Sequence, residues 1–436
     1  MDYCLNFADF KVINFRGDFF IMAVIRPFRA LRPSKENAHL VASVPYDVVN
    51  REEAKELAGQ NSLSFLHVTR AEIDLNESAD PYAPEVYGKG KENLDALIKR
   101  APLITEEKPC LYLYRLEMNG RAQVGLAATF SVDDYDNDII MKHEKTRKVK
   151  EDDRTNHIIT TGAQTGPVFL TYKGVKEIDD IVNETMNSVE PLYDFTSSDG
   201  IKHTVWILPE KYNRNVIGEV AKVKNLYIAD GHHRAASASR ARTVKADTDT
   251  SHKGDEEYNY FIAVLFPADQ LKILPYNRIV FDLNNLTKED FLNEISDKFY
   301  IEKTGIKEPD ERKTFCMYLD GEWYHLKGRD SVAASSSLSE SVAGTLDVSI
   351  LQDFLLNPVL GIDDPRTNKR IDFVGGIRGT KELEKLVDAG KAAVAFSLYP
   401  VSVDDLMNIS DAGEIMPPKS TWFEPKLRDG LLVHLI

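Results

Sequence analysis

The amino-acid sequence predicts a protein of the mixed α/β class (α+β), and three observations lead to that class. Short apolar runs of strand length alternate with amphipathic stretches of helical length over most of the 436 residues. Two strand-like runs flank Asp320 and Gly321, a pair that favours the positive φ angles of a type I′ hairpin turn. The composition, with 43% apolar and 28% charged residues, is that of a globular protein and excludes a collagen-like, coiled-coil or wholly disordered chain.

The apolar runs predict the individual elements in chain order. Strands are predicted where apolar, aromatic and β-branched residues cluster, at 110–118, 167–172, 203–208, 225–229, 260–266, within the hairpin at 315–327, and at 393–399. Helices are predicted where apolar residues recur every three or four positions, at 51–59, 85–100, after Gly231 and at 380–390. The polar stretches 245–257 and 331–344 lack this periodicity and are predicted to be loops.

Charge and cysteine spacing narrow the classes of function. The 54 basic and 69 acidic residues give a net charge of −15, which opposes binding to the phosphate backbone of DNA or RNA. Cys4, Cys110 and Cys316 lie too far apart for a disulfide framework or a zinc site, so a reducing cytoplasm is the expected compartment. No apolar run approaches the roughly 18 residues of a membrane span. Charged residues interrupt positions 1–21, which are expected to be an N-terminal extension.

The strongest functional signal is NLYIADGHHRAASASRAR at 225–242, which predicts a strand, a tight turn and a helix. A glycine in the turn allows close approach of a ligand, and the first turn of the helix offers the positive end of its dipole. The predicted phosphate-binding residues are Gly231, His232, His233 and Arg234. Asp230 ends the strand and is a candidate to hold a metal ion or to orient a histidine. The alternative is that Asp230 caps the helix while the histidines pack or face solvent.

The commoner nucleotide and metal motifs are missing from the sequence. It contains neither a Walker A nor a G-x-G-x-x-G stretch. HEKTR has Arg147 at the position where a zinc-protease motif needs its second histidine. Any nucleotide site must therefore be built in another way.

The turn DGHHR, followed by a helix of small residues, resembles the phosphate-binding turn of the ParB/sulfiredoxin-like superfamily, and most closely that of its free serine kinases. Upstream, LRPSKE at 31–36 resembles the segment that carries the catalytic base of those kinases. The resemblance makes Glu36 the counterpart of that base, with Lys35 as one extra residue before it. It also implies a ParB/sulfiredoxin-like nucleotide-binding core.

The C-terminal part of the chain extends this resemblance. GEIMPPKSTWFEPK at 413–426 resembles the loop that helps the serine kinases to hold the amino acid. The implied substrate-binding residues are Lys419, Ser420 and Thr421. Glu36 and Asp230 are much further apart here than in those kinases, which implies a large insertion at about 60–210.

After Met22 the whole chain resembles an uncharacterised prokaryotic family, domain of unknown function 1015. Its marks here are RPFRALRP, VPYDVV, HEKT, DDR, ADGHHR, LKILPYNR and MPPKSTWFEPKL. One polar stretch, MKHEKTRKVKEDDRTNH, is a candidate lid over the nucleotide, and the alternative is a solvated charged face. The candidate lid residues are His143, Glu144, Thr146, Lys148, Asp153 and Arg154.

These resemblances imply a domain order and an activity. The expected order is an extension at 1–21, a nucleotide-binding domain at 22–285 that contains the insertion, and a C-terminal α/β substrate-binding domain at 286–436. The implied activity is a kinase that uses Mg²⁺ and ATP or ADP to convert free L-serine to O-phospho-L-serine. Glu36 is the expected base, with Asp47 of VPYDVV as a second candidate for base or magnesium ligand.

Two rival functions use the same site. One is a nucleotide hydrolase, and the other is a nucleotide-gated binding protein like the ParB relatives. The expected partners are a nucleotide and an amino acid, with no role for a membrane and none for nucleic acid.

Overall fold

The computed structural model describes residues 23–100, 103–332 and 341–436. The predicted extension at 1–21 and positions 333–340 of the predicted loop at 331–344 lie outside these residues. Contacts within the chain define two compact units. The first unit contains the described residues up to Met141, together with Thr146–Gln270 and Pro425–Ile436. The second unit contains Lys142–Lys145 and Leu271–Glu424.

The strands are numbered in chain order. They are β1 (Ile25–Arg26), β2 (Leu31–Arg32), β3 (Ile104–Thr105), β4 (Tyr112–Met118), β5 (Arg121–Ser131), β6 (Ile140–Met141), β7 (Ala163–Gln164), β8 (Val168–Tyr172), β9 (Tyr193–Thr196), β10 (Lys202–Ile207), β11 (Leu226–Asp230), β12 (Tyr260–Pro267), β13 (Ile273–Leu274), β14 (Tyr276–Val280), β15 (Phe299–Thr304), β16 (Thr314–Leu319), β17 (Glu322–Gly328), β18 (Ile371–Gly375), β19 (Val394–Leu398), β20 (Trp422–Phe423) and β21 (His434–Leu435).

The α-helices are numbered in the same way. They are α1 (Ala38–Val41), α2 (Arg51–Ala58), α3 (Leu66–Thr69), α4 (Pro84–Arg100), α5 (Val132–Asp136), α6 (Lys148–Thr161), α7 (Lys176–Ser188), α8 (Asn213–Val220), α9 (His232–Thr248), α10 (Lys288–Ser296), α11 (Asp347–Leu351), α12 (Gly379–Asp388) and α13 (Val403–Asp411). None of the described helices combines the length and the apolar character that crossing a membrane requires.

The first unit is built on a mixed sheet with the strand order β6-β11-β8-β12-β5-β4-β10-β9, to which β1 adds by pairing with β5. Parallel pairs join β11 to β6 and β12 to β8, and the other pairs are antiparallel. Apolar side chains of the central strands form the main core, including Phe130, Leu170 and Ile228. Ala235 and Ala238 of α9 are buried in the same core, because their small side chains let the helix lie close to the sheet.

A second core in the first unit joins its helices to the chain end. Phe65, Leu94 and Leu97 pack together with Leu31 and Val433 in this core. The antiparallel pairing of β21 with β7 fixes the C-terminal segment in the same region. The residues just before β21 are thereby fixed within the first unit.

The second unit contains an antiparallel sheet with the order β15-β17-β16-β19-β14-β18. The predicted hairpin is present between β16 and β17, where Asp320 and Gly321 have φ angles of 50° and 77°. Both angles are positive, as a type I′ turn requires. Leu383 of α12 and Trp323 of β17 pack in the core of this unit.

The structure confirms the predicted strands and helices and the mixed α/β class. It adds elements that the sequence analysis does not predict, of which β5, α6 and α7 are the longest. The predicted loop at 245–257 begins later than expected, because α9 continues to Thr248.

The two units differ from the predicted domain order in two respects. The division falls after Gln270 and not near 285, because β13 and β14 pair with strands of the second unit. The segment 60–210 supplies β4, β5, β8, β9 and β10 to the same sheet as β11, so it is part of the central sheet of the first unit.

Candidate anion-binding site

The turn between β11 and α9 has the predicted strand-turn-helix form. Gly231 occupies the N-cap position of α9 with a φ angle of 93°, a conformation that strains any residue with a Cβ. Asp230 does not cap the helix, because it precedes the N-cap residue and its Oδ1 accepts a hydrogen bond from the Gly231 N–H at 2.8 Å. His232 is buried in the first turn of the helix.

Lys426 holds the Asp230 carboxylate. Its Nζ donates to Asp230 Oδ2 at 2.6 Å, and the Asp230 side chain remains 40% exposed. Burial alone would raise the pKa of Asp230, but Lys426 and the Gly231 N–H lower it, so the carboxylate is ionised. Both carboxylate oxygens therefore already have protein donors.

His233 links the N-terminus of α9 to that of α6. Its Nε2 accepts a hydrogen bond from the backbone N–H of Arg147 at 3.0 Å, and Arg147 is the N-cap residue of α6. In this arrangement Nε2 carries no proton. The positive ends of a 14-residue and a 17-residue helix therefore meet beside the turn at Gly231. The N-terminus of a helix favours a bound anion, and the electrostatic fields of two neighbouring N-termini add together.

Behind this turn, Arg234 pairs with Asp429. The Arg234 Nη2 lies 3.0 Å from both carboxylate oxygens of Asp429, and the two side chains are only 13% and 2% exposed. Burial raises the pKa of Asp429 to about 6, although Arg234 opposes that rise. Burial would lower the pKa of Arg234, but Asp429, Asp47 and Tyr46 raise it instead. The predicted phosphate ligand Arg234 is thus committed to a carboxylate in this structure.

Gly166 makes room for this ion pair. A Cβ on Gly166 would lie 1.9 Å from Asp429 Oδ1 and 2.1 Å from Arg234 Nη1. Both distances are far inside van der Waals contact, so any larger residue would displace the pair.

Tyr46 lies next to two guanidinium groups. Its ring centroid is 4.1 Å from Cζ of Arg154 and 5.1 Å from Cζ of Arg234, distances at which cations and aromatic rings attract. Arg154 donates to both oxygens of Asp153 at 3.0 and 3.1 Å. We call Tyr46, Asp153, Arg154, Arg234 and Asp429 the Tyr46 cluster. All five side chains are largely buried.

The predicted lid is therefore corrected for Asp153 and Arg154. Both are buried in the Tyr46 cluster, so they neither cover a ligand from outside nor form a solvated face. Burial would lower the pKa of Arg154, but Asp153 and Tyr46 raise it. The pair can remain charged because each partner satisfies the other.

The other predicted lid residues are divided between the units. Thr146 donates to Glu151 in the first unit, while Lys148 is 80% exposed and pairs with Asp152 at 3.0 Å. His143 and Glu144 belong to the second unit. There the His143 carbonyl oxygen accepts a hydrogen bond from the Met416 N–H at 2.8 Å.

The two candidate bases have different surroundings. Asp47 is exposed next to Tyr46, and its charge contributes to the raised pKa values of Arg234 and Asp429. Glu36 is exposed on the turn before α1. Its pKa is lowered by hydrogen bonds from its own backbone N–H and from Ser34. The interactions that shift Glu36 are thus local, whereas Asp47 acts on the Tyr46 cluster.

The predicted substrate loop lies in the second unit and is held in a fixed shape. Lys419 has a positive φ of 56°, and its carbonyl oxygen accepts a hydrogen bond from Arg278 Nη2 at 3.1 Å. The Ser420 hydroxyl donates to the Pro417 carbonyl oxygen at 2.6 Å. Thr421 completes the loop before β20. Burial lowers the pKa of Arg278 to about 9, and its donors face backbone carbonyls of this loop.

Several residues of the site are missing from the sequence-based set. They are Tyr46, Arg147, Gly166, Lys426, Arg428 and Asp429. Two of them lie in motifs of the sequence. Tyr46 is part of VPYDVV, and Lys426 is the last residue of GEIMPPKSTWFEPK.

Arg428 anchors the segment that carries Asp429. It donates from Nε to His203 Nε2 at 3.2 Å and from Nη2 to Asp199. Burial, followed by the charge of Arg428, lowers the pKa of His203 to about 2, so this histidine is neutral and its Nε2 can accept. The Tyr114 hydroxyl completes the chain at 2.9 Å from His203 Nδ1.

The structure is that of a mixed α/β protein in which the N-termini of α6 and α9 meet beside a glycine turn. The family model described as "Protein of unknown function (DUF1015)" matches residues 25–349, so the chain belongs to this family. That result confirms the predicted family membership. A search of curated proteins found no match.

Solved structures show only low similarity to this chain. A conserved hypothetical protein from Pyrococcus furiosus is 12% identical with a TM-score of 0.34, over 71% of this chain and 95% of that chain. A free serine kinase in complex with AMP is 10% identical with a TM-score of 0.33, over 69% and 91%. SbnI with a C-terminal truncation from Staphylococcus aureus is 11% identical with a TM-score of 0.36, over 71% and 87%. Similarity at this level carries no assignment of activity.

Proposed function

We propose that this protein is a nucleotide-dependent phosphotransferase that binds the phosphates of ATP or ADP at the meeting point of the α6 and α9 N-termini. The observation that carries the proposal is the hydrogen bond from the Arg147 N–H to His233 Nε2, which brings the two N-termini together. Phosphoryl transfer depends mainly on positioning and on stabilising negative charge, and paired helix N-termini provide both.

The local residues support a phosphate in preference to other anions. Gly231 takes the φ angle of 93° at which α9 begins, so the first backbone amides of the helix lie directly after the turn. Arg147 and Lys148 are exposed at the start of α6 and add positive charge beside the turn. Arg234 stands behind the turn, and release from Asp429 would add a guanidinium able to bind phosphate in a bidentate way.

A carboxylate must accept the proton of the acceptor's hydroxyl group, and Asp47 and Glu36 are the two candidates. The position of Asp47 beside the Tyr46 cluster supports Asp47, since its charge already acts on Arg234. The resemblance to the serine kinases supports Glu36. The two assignments predict different variants to be inactive.

Asp47 could serve as a Mg²⁺ ligand at this site, whereas Asp230 is less suitable. It prefers oxygen ligands and usually takes one or two carboxylates together with phosphate oxygens and water. Asp47 is exposed and offers such an oxygen, whereas both oxygens of Asp230 already accept hydrogen bonds. When bound, the ion would neutralise charge on the phosphates.

We further propose L-serine as the acceptor, which makes O-phospho-L-serine the product. The resemblance assigns the amino-acid end to Lys419, Ser420 and Thr421. The fixed shape of this loop supports the assignment, because a preorganised loop loses less entropy on binding.

Mass spectrometry of the reaction product tests the proposal. Purified protein is incubated with Mg²⁺, L-serine and either ATP or ADP in separate tubes. A phosphoserine peak in one tube is the expected result and identifies the donor. Asp47→Asn and Glu36→Gln proteins run beside the wild type assign the base.

The rival functions give other results in the same assay. Nucleotide hydrolysis that is equally fast without serine would replace the kinase with a hydrolase. Tight nucleotide binding with no turnover in any tube would favour a nucleotide-gated binding protein.

A further inference from the structure

A polar cavity of about 170 Å³ lies in the first unit and shares Asp153 and Arg154 with the Tyr46 cluster. It is lined by residues of α3, α4, α6 and the segment that connects α3 to α4. The charged and aromatic residues that matter here are Arg70, Glu72, Tyr82, Lys150, Asp153 and Arg154. The volume far exceeds the roughly 10 to 15 Å³ that one water molecule needs. It is below the roughly 300 Å³ at which drug-sized pockets begin.

The cations of this cavity are not balanced by its carboxylates. Arg70 pairs with Glu72 at 2.9 Å, and Arg154 pairs with Asp153. Lys150 is the third cation. Its Nζ lies 5.4 Å from the ring centroid of Tyr82, and no ion pair to a carboxylate is formed by it within residues 23–100, 103–332 and 341–436. The lining therefore carries one positive charge in excess.

Arg70 also lines the cavity and has a hydrogen-bond donor that no described residue accepts from. Its Nε is buried and has no hydrogen-bond partner within the described part of the chain. A buried donor without an acceptor costs free energy, so an acceptor in the cavity would be favoured there. The arginine is only 17% exposed and its pair with Glu72 limits its movement.

We propose that this cavity is a binding site for a small organic carboxylate. Lys150 supplies the unbalanced charge, and Arg70 supplies an additional hydrogen bond. One excess charge matches a monoanion, whereas a phosphate dianion would face repulsion from Glu72 and Asp153. The same two carboxylates can accept hydrogen bonds from an ammonium or hydroxyl group on the ligand.

The size and the aromatic wall restrict the ligand further. A cavity of this volume admits a molecule such as a hydroxy acid or a small amino acid and excludes a nucleotide. Tyr82 is partly exposed at the cavity and gives the carbon atoms of the ligand an apolar contact. The proposal does not depend on the phosphotransferase activity, because it concerns binding by the nucleotide-free protein.

Calorimetry on the nucleotide-free protein tests this site with four probes. Glycolate and L-serine carry a carboxylate, ethanolamine lacks it, and inorganic phosphate replaces it with a different anion. Glycolate binding is the expected result, with weaker or no binding of ethanolamine. L-serine and phosphate have other proposed sites on this protein, so only the part of their binding that Lys150→Met removes reports on the cavity. No binding of glycolate, or a Lys150→Met protein that loses phosphate binding as strongly as glycolate binding, would overturn the proposal.

Two lysine variants locate the binding. Lys150→Met should weaken carboxylate binding by about tenfold or more, because a charge-assisted hydrogen bond is lost. Lys91→Met is the control, since this lysine lies on α4, pairs with Asp95 and does not line the cavity. Equal affinities of the two variants would contradict the assignment. Tyr82→Ala provides a second test at the other wall, where retained affinity would likewise contradict it.

Discussion

The two units differ in the burial of their ion pairs, because the first unit contains buried pairs in addition to exposed ones. In the first unit, Arg154 with Asp153 and Arg234 with Asp429 are buried ion pairs. In the second unit, pairs such as Arg312 with Asp405 lie at the surface. Removing an ion from water costs several kcal/mol, and a buried pair seldom returns more than that cost. An exposed pair is worth between about 0 and 1 kcal/mol.

This difference supports the proposed phosphate site next to the Tyr46 cluster. Apolar side chains of similar volume would stabilise the interior of the first unit as well as buried ion pairs do. The presence of buried ion pairs around Tyr46, next to two helix N-termini, supports the proposed role in binding charge. Among the described residues of the second unit, ion pairs such as Arg312 with Asp405 and Lys327 with Glu311 lie at the surface. The four predictions below test that contrast from the largest effect to the smallest.

Arg154→Met should give the largest loss. It leaves the carboxylate of Asp153 buried without its partner, which costs about 3 to 5 kcal/mol of unfolding free energy. Urea unfolding measures the effect. Arg312→Met in the second unit is the matched control and should cost at most about 1 kcal/mol. Similar losses in the two variants would remove the contrast between the units.

Asp47→Asn should lower turnover of the proposed reaction by about a hundredfold or more, the usual effect of losing a general base. Nucleotide affinity should change little, because Asn keeps the size and polarity of the side chain. Steady-state kinetics beside calorimetry separate the two effects. Glu36→Gln is the paired variant, and a larger loss there would move the base away from the Tyr46 cluster.

Gly166→Ala should destabilise the first unit by about 1 to 3 kcal/mol, the usual cost of overpacking. The added methyl group would occupy the space of the Arg234 and Asp429 pair. Gly218→Ala is the control. A Cβ on Gly218 meets nothing within 4 Å, and alanine should stabilise α8 by roughly 0.5 to 1 kcal/mol. A Gly166→Ala protein as stable as the wild type would show that the pair can move freely.

Anion binding should tighten as the pH falls through 6. The folded pKa of Asp429 is about 6, above its ordinary value, so this carboxylate takes up a proton between pH 7 and pH 5. Arg234 then loses its counter-charge and can bind an anion. Ionised Asp429 is also less favourable in the folded protein than in the unfolded chain. The contribution of Asp429 to the unfolding free energy therefore falls as the pH rises through 6.

Sulfate is the suitable probe for this effect, since its own charge is constant over the range. Its affinity should rise by up to about tenfold per pH unit, the limit for one linked proton. Asp429→Asn should bind sulfate with little dependence on pH. A pH dependence that persists in this variant would assign the effect to another group.

The local part of the site could be predicted from the sequence. A buried strand, a glycine turn and a helix of small residues are encoded within residues 225–242, and the structure has them in that order. The hairpin at Asp320 and Gly321 was predicted for the same reason. The φ angles that a turn requires restrict the residues that can occupy it.

The partners of that turn could not be predicted, because they are distant in the sequence. Arg234 and Asp429 are 195 positions apart, and nothing near either residue indicates the other. The sequence of α6 is polar enough to suggest a solvated face. Arg154 of this helix is nevertheless buried. Its guanidinium group contacts Asp153 and the Tyr46 ring, and the Thr69 carbonyl oxygen is a further acceptor for it.

Strand β5 was not predicted because Gly125 interrupts its apolar pattern. Glycine has a low propensity for strands. In the structure, a Cβ at this position would lie 2.6 Å from Val264 Cγ1 on β12. The glycine is therefore needed for close packing, which a single sequence does not reveal.

A crystal structure of the protein with Mg²⁺ and ADP tests the central claim most directly. The account predicts nucleotide phosphates within hydrogen-bond distance of the first backbone amides of α6 and α9, beside Gly231 and His233. Phosphates bound elsewhere, with the two helix N-termini contacting only solvent, would contradict it.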